Sequence, residues 1–207
     1  MKLLGYGEDA LTLWALTRRL DAILSVLGDA SDSRLCEVLF RPSFGRSGGT
    51  NSAQFGEFDF MVLTRQAILL GESKWDRSSE EINEGVLTLR PEQEARHRIM
   101  RFYIDHFAFK NYQQWGEFIA KETPEFSGTG LGKPLAPEGS RLASNLEQVL
   151  RSMRSRFQSK PEITDILLYL RGKREKGSLP SKGPGHFRLV PLDYSEDLEG
   201  NMISFEI

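Results

Sequence analysis

The chain has 207 residues, 39% of them apolar and 27% charged, with a net charge of −2. That balance excludes disordered and fibrous classes, and the length suffices to bury about 70% of the unfolded surface in one core. Near-neutral charge neither requires nor excludes a polyanionic partner, because local patches matter more than the total. The single cysteine, Cys36, forbids an intrachain disulfide and fits a reducing compartment. In the segment MKLLGYGEDALTLWAL, Glu8 and Asp9 interrupt any signal-like apolar run, and no transmembrane span follows. A cytoplasmic protein without membrane contact is expected.

Residues 9–27 read as an amphipathic helix with Leu13, Leu16, Leu20, Ile23, Leu24 and Leu27 on one face and Gly28 as its stop. Leu35–Arg41 reads as a first strand, followed by a glycine- and serine-rich loop, Ser43–Gln54. Two apolar runs, Phe58–Leu63 and Ala67–Leu70, flank Thr64-Arg65-Gln66 and predict a β-hairpin. Pro91 opens a long helix reaching about Phe109, and a further helical piece spans Tyr112–Lys121. Four glycines and three prolines mark Thr123–Ser140 as a loop. Leu142, Leu146, Val149, Leu150, Met153 and Phe157 then form one helical stripe. Ile163–Arg171 is the best remaining core strand, with further strands at Phe187–Leu192 and Met202–Ile207. This order predicts an α/β fold, a single domain over 1–207 with a central mixed β-sheet flanked by helices.

The hairpin carries the chemistry. If its two-residue turn is centred on Arg65-Gln66, cross-strand partners sum to 131, which sets Asp59 opposite Glu72 and Glu57 opposite Lys74. Residues two apart on a strand share a face, so Glu72 and Lys74 point the same way. Two carboxylates about 5 Å apart repel by roughly 3 kcal/mol at an effective dielectric near 20. A divalent cation with an ammonium nearby offsets that repulsion. Among nine lysines only Lys74 has an acid two positions before it. Hard carboxylate oxygens suit Mg²⁺, which polarises a phosphate and acidifies water, and a lysine can stabilise charge developing on that phosphate. The bland alternative is the charged, solvated face of an ordinary hairpin.

Asp59, the triplet Glu72-Ser73-Lys74 and the element order across about 8–110, with the later core strand at 163–171, resemble the PD-(D/E)XK nuclease superfamily. The resemblance implies a restriction-endonuclease-like αβββαβ core. It implies Asp59 and Glu72 as ligands of Mg²⁺ or Mn²⁺, Lys74 as the catalytic lysine, and Glu8 in the first helix as an additional metal-binding acid. The sequence departs from the family in having Phe58 where proline often precedes the aspartate.

Other candidates have competing explanations. Glu8 and Asp9 at a helix start also meet the helix dipole with no metal involved, and Glu57 opposite Lys74 is equally a cross-strand partner. The loop RPSFGRSGGTNSAQFG offers Arg41, Arg46, Ser43 and backbone amides to a phosphate. Gly128–Lys133 lacks the P-loop spacing, and Pro134 follows its lysine. His97, His106 and His186 have no mutual ligand spacing, although Gln93 or His97 can face the hairpin site. Residues 151–182 hold nine Lys and Arg against three acids, which marks Arg151 and Arg154, with Arg46, as candidate nucleic-acid contacts. The expectation is a metal-dependent nuclease acting on nucleic acid, DNA foremost, with a homodimer compatible. The rival is a non-catalytic nucleic-acid-binding or assembly module on the same fold.

Overall fold

The structure, a computed structural model, describes residues 2–44, 56–76, 82–110, 112–131, 134–172 and 180–206. In chain order the elements are β1 (Lys2–Gly5), α1 (Glu8–Arg18), α2 (Leu20–Leu27), β2 (Glu37–Phe40), β3 (Phe60–Leu63), β4 (Ala67–Trp75), β5 (Ile82–Asn83), β6 (Val86–Leu87), α3 (Pro91–Tyr103), α4 (Trp115–Gly128), α5 (Arg141–Arg156), β7 (Glu162–Arg171), β8 (Arg188–Asp193), β9 (Leu198–Glu199) and β10 (Met202–Glu206). The fold is α/β, as the sequence predicts. Its five-stranded mixed sheet runs β2-β3-β4-β7-β8, antiparallel from β2 to β4 and parallel from β4 through β7 to β8. Within this one α/β chain, contacts gather into two compact units interleaved along the sequence. The first holds 1–41, 58–89 and 162–207, the second 42–57 and 90–161.

In the first unit, α1 and α2 lay Leu11, Trp14, Leu16, Ile23 and Leu24 against Phe60, Val62, Leu69, Ile166 and Leu168 of the sheet. Ile203 and Phe205 bring the small β1-β10-β9 sheet into the same core. The other sheet face packs Leu167 and Tyr169 against Leu87, Leu89 and Phe187. The second unit is built around aromatic rings, Tyr103, Phe107, Trp115 and Phe118, with Phe107 and Trp115 centroids 4.9 Å apart.

The β3–β4 hairpin has the predicted register: Phe60 pairs with Gly71, Met61 with Leu70, Val62 with Leu69 and Leu63 with Ile68. Thr64 closes the turn, its Oγ1 accepting from Gln66 N at 3.0 Å and Ala67 N at 2.8 Å while donating to Asp29 Oδ2 at 2.7 Å. Glycine is required at 71 because a Cβ there would lie 1.9 Å from Phe60 Cζ. The aromatic ring covers the glycine across the strands and resists slippage.

Several boundaries differ from the sequence expectation. The helix over 9–27 breaks at Arg19, which adopts φ −126° and ψ 14°, and both halves keep a buried stripe on the same core. Gly28 does stop α2, in a left-handed conformation at φ 71°. The strand expected over Leu35–Arg41 is only β2, Glu37–Phe40, because Ser33–Leu35 coil into a 3₁₀ turn capped by Asp32, and β1 precedes it where no strand was expected. The loop expected from Thr123 begins later, since α4 runs through Pro124 to Gly128. Trp115, Phe118, Glu122 and Phe126 recur on one buried face; that burial outweighs the missing hydrogen bond at proline.

Candidate active site at the end of the hairpin

β4 extends five residues beyond the predicted run, to Trp75, because β7 pairs with it in parallel along its whole length. Glu72 and Lys74 therefore sit on a central strand, beside Leu167 and Tyr169 and on their face of the sheet. Glu72 is 0% exposed and Lys74 5%. The solvated-face explanation is thereby removed. Burying a carboxylate and an ammonium is costly unless each is paired, so the sequence keeps them at these positions against the grain of the core.

Asp59 lies one residue before β3, at the position the register sets opposite Glu72. It is half-buried, and its Oδ2 accepts from Ser73 N at 2.8 Å while its backbone carbonyl accepts from Arg41 N at 3.0 Å. These bonds hold one carboxylate oxygen toward β4. Glu8, the first residue of α1, accepts from Trp75 N through Oε2 at 3.2 Å. It thus serves as more than a dipole partner: α1 delivers its carboxylate to the end of β4. Asp9 is exposed and pairs instead with Arg41. Asp59, Glu72 and Lys74 with Glu8 are brought to the same end of the β3–β4 hairpin, and three of the four are acids with hard oxygen donors. Oxygen donors of this kind are the ones that Mg²⁺ and Mn²⁺ prefer.

The β3–β4 ladder begins at the Phe60–Gly71 pair and does not reach Glu57. β3 starts at Phe60, and Glu57 bridges to Ser43. Gln93 caps α3, accepting from Arg90 N at 3.1 Å, and His97 is fully buried. Arg46 lies outside the described residues. Arg151 and Arg154 are on α5, where Arg151 bonds Glu147 and Gln113 O, and Arg154 bonds Phe157 O and Gln158 O. Both guanidinium groups are thus employed inside the second unit.

Two groupings were invisible to sequence reasoning. Asp165, 1% exposed, shares the sheet face of Glu72 through its register with Leu70, and meets the exposed His186 at 2.5 Å. An acid at a core position of ITDILLYLR was the signal. In the second unit His106, Glu122 and Glu125 present ligand atoms within 4.8 Å of one another. Lys110 Nζ already occupies the cation's place there, 3.0 Å from Glu122 and 3.4 Å from Glu125. Burial pushes the Glu122 carboxyl up, but hydrogen bonds from Tyr112, His106 and Lys110 outweigh it and hold the group at about 2. The Tyr112 phenol, bonded to that carboxylate, is pushed up to about 12. This is an ion-pair network closed by protein groups.

No helix among the described residues is long and apolar enough to cross a membrane. No family model, no curated protein and no solved structure matches this chain.

Proposed function

We propose that the chain is a metal-dependent nuclease that hydrolyses phosphodiester bonds in nucleic acid, with DNA the expected substrate, using a PD-(D/E)XK-type site. The observation that carries this reading is the burial of Glu72 and Lys74 on one face of a central strand, with Asp59 hydrogen-bonded to the intervening Ser73. Asp59 and Glu72, joined by Glu8, would hold Mg²⁺ or Mn²⁺, which supplies Lewis acidity toward a phosphate oxygen and a water. Lys74 adds a fixed positive charge on the same face, placed to stabilise charge growing on the phosphate without acting as a ligand. Because Lys74 is buried, that charge acts at reduced dielectric screening. Asp59 and Glu8 each spend one oxygen on a backbone N–H, which fixes the carboxylates before any ion arrives.

The test is single-turnover cleavage of plasmid, linear duplex, single strand and RNA with Mg²⁺, Mn²⁺ or EDTA, beside calorimetric metal titration. Glu72→Ala should abolish cleavage and weaken metal binding together. Lys74→Ala should bind metal nearly as wild type yet cleave about 10²–10³-fold more slowly. A wild type that binds nucleic acid tightly and cleaves none of these substrates refutes the nuclease reading and selects the non-catalytic binding module.

A further inference from the structure

The first unit holds a cavity of about 260 Å³ at the C-terminal ends of the parallel strands β4 and β7. Leu11, Trp75 and Ile203 give it apolar walls. Tyr6, 63% exposed, stands edge-on to Trp75 with centroids 5.8 Å apart and planes at 89°. The two rings make a corner in which a flat ring can stack on one and meet the edge of the other. Asn201 is exposed at the rim, and backbone at Gly7 and Gly200 approaches without side chains.

The charge of the lining narrows the ligand. Among the described residues the lining contains no Lys, Arg or His side chain. Its acid, Asp76, spends Oδ1 on the Tyr194 hydroxyl and Oδ2 on Gly172 N, both at 2.7 Å. The apolar walls and the Tyr6–Trp75 corner suit a neutral, flat group with polar edges, and a nucleobase has that chemistry. The location agrees. Trp75 follows Lys74 and points to the opposite sheet face, and its N–H donates to Glu8, the neighbour of Gly7 in the lining. A strand crossing the end of β4 can give its base to one face and its phosphate to the other.

We infer that this cavity receives one unpaired nucleobase, so that the substrate strand is single-stranded or frayed at the site. The inference rests on the nuclease reading for its substrate, but its test separates the two. Binding of a dT oligonucleotide and of its abasic counterpart is measured by fluorescence anisotropy in EDTA, for wild type, Tyr6→Ala and Asn201→Ala, alongside Mg²⁺-dependent cleavage of single strand and closed duplex. Wild type should bind the dT strand about tenfold more tightly than the abasic one, and Tyr6→Ala should remove most of that preference. Asn201→Ala, at an exposed turn position, should reduce it in a folded protein. Equal affinity of wild type for both strands overturns the pocket even if cleavage persists. A base preference that disappears in Tyr6→Ala upholds the pocket even if no substrate is cut, in which case only the nuclease reading falls.

Discussion

Glu122→Gln should make the protein less stable at neutral pH and indistinguishable from wild type in strong acid. The carboxylate is 3% exposed and takes hydrogen bonds from Tyr112 Oη at 2.6 Å, His106 Nδ1 at 2.7 Å and Lys110 Nζ at 3.0 Å. Its folded-state value of about 2 lies below the ordinary 4.5. A depressed carboxyl stabilises the fold fully above 4.5, and that contribution is lost as pH falls from 4.5 toward 2. Taken at face value the difference is about 3 kcal/mol. Lys110 is half-exposed and screened by water, so about 2 kcal/mol is the better expectation. Glutamine keeps the shape and the Tyr112 contact, which isolates the charge. The assay is urea unfolding of both proteins from pH 7 to pH 2, comparing midpoints at constant slope. A wild-type advantage that does not shrink between pH 4.5 and 2 would refute the assignment of this stability to ionised Glu122.

Gly71→Ala should destabilise by about 1–3 kcal/mol through the clash with the Phe60 ring, read as a lowered melting temperature, and Phe60→Leu in the same chain should relieve part of it. Ser73→Ala should be neutral or stabilising by up to about 1 kcal/mol in urea unfolding, because the Ser73 hydroxyl is buried without a hydrogen-bond partner; metal titration should be unchanged. Replacing Arg151 and Arg154 together by Gln should lower the slope of log affinity against log salt by about 1 for each phosphate these side chains neutralise. An unchanged slope with reduced stability would assign Arg151 to Glu147 and the Gln113 carbonyl, and Arg154 to the carbonyls at the end of α5, alone.

The hairpin was legible in the sequence because two local signals, paired apolar runs and a short polar turn, agree on one register, and Gly71 beneath Phe60 enforces it. The placement of Asp59 relative to Glu72 follows from that register alone. Burial was not legible: whether Glu72 and Lys74 face water depends on β7 lying alongside, a partner the local pattern cannot specify. The same holds for Glu8, whose hydrogen bond to Trp75 N spans 67 positions, and for Asp165 with His186. Pro124 misled because its local signal, chain breaking, was weaker than the burial of Phe118 and Phe126 on either side.

The parallel pairing of β4 with β7 has a consequence for how the molecule comes into being. Each β4 residue meets the one 95 positions later, with the whole segment 90–161 of the second unit in between. Closing so long a loop is slow compared with zipping the β3–β4 hairpin, which needs only a turn. During synthesis the acids and the lysine of the hairpin emerge together, but β7 is made much later. Until then β4 has an unpaired edge, and Glu72 and Lys74 stand in water. Glu72 and Lys74 thus stay hydrated while residues 76–161 are made, and docking of β7 is the step that buries them.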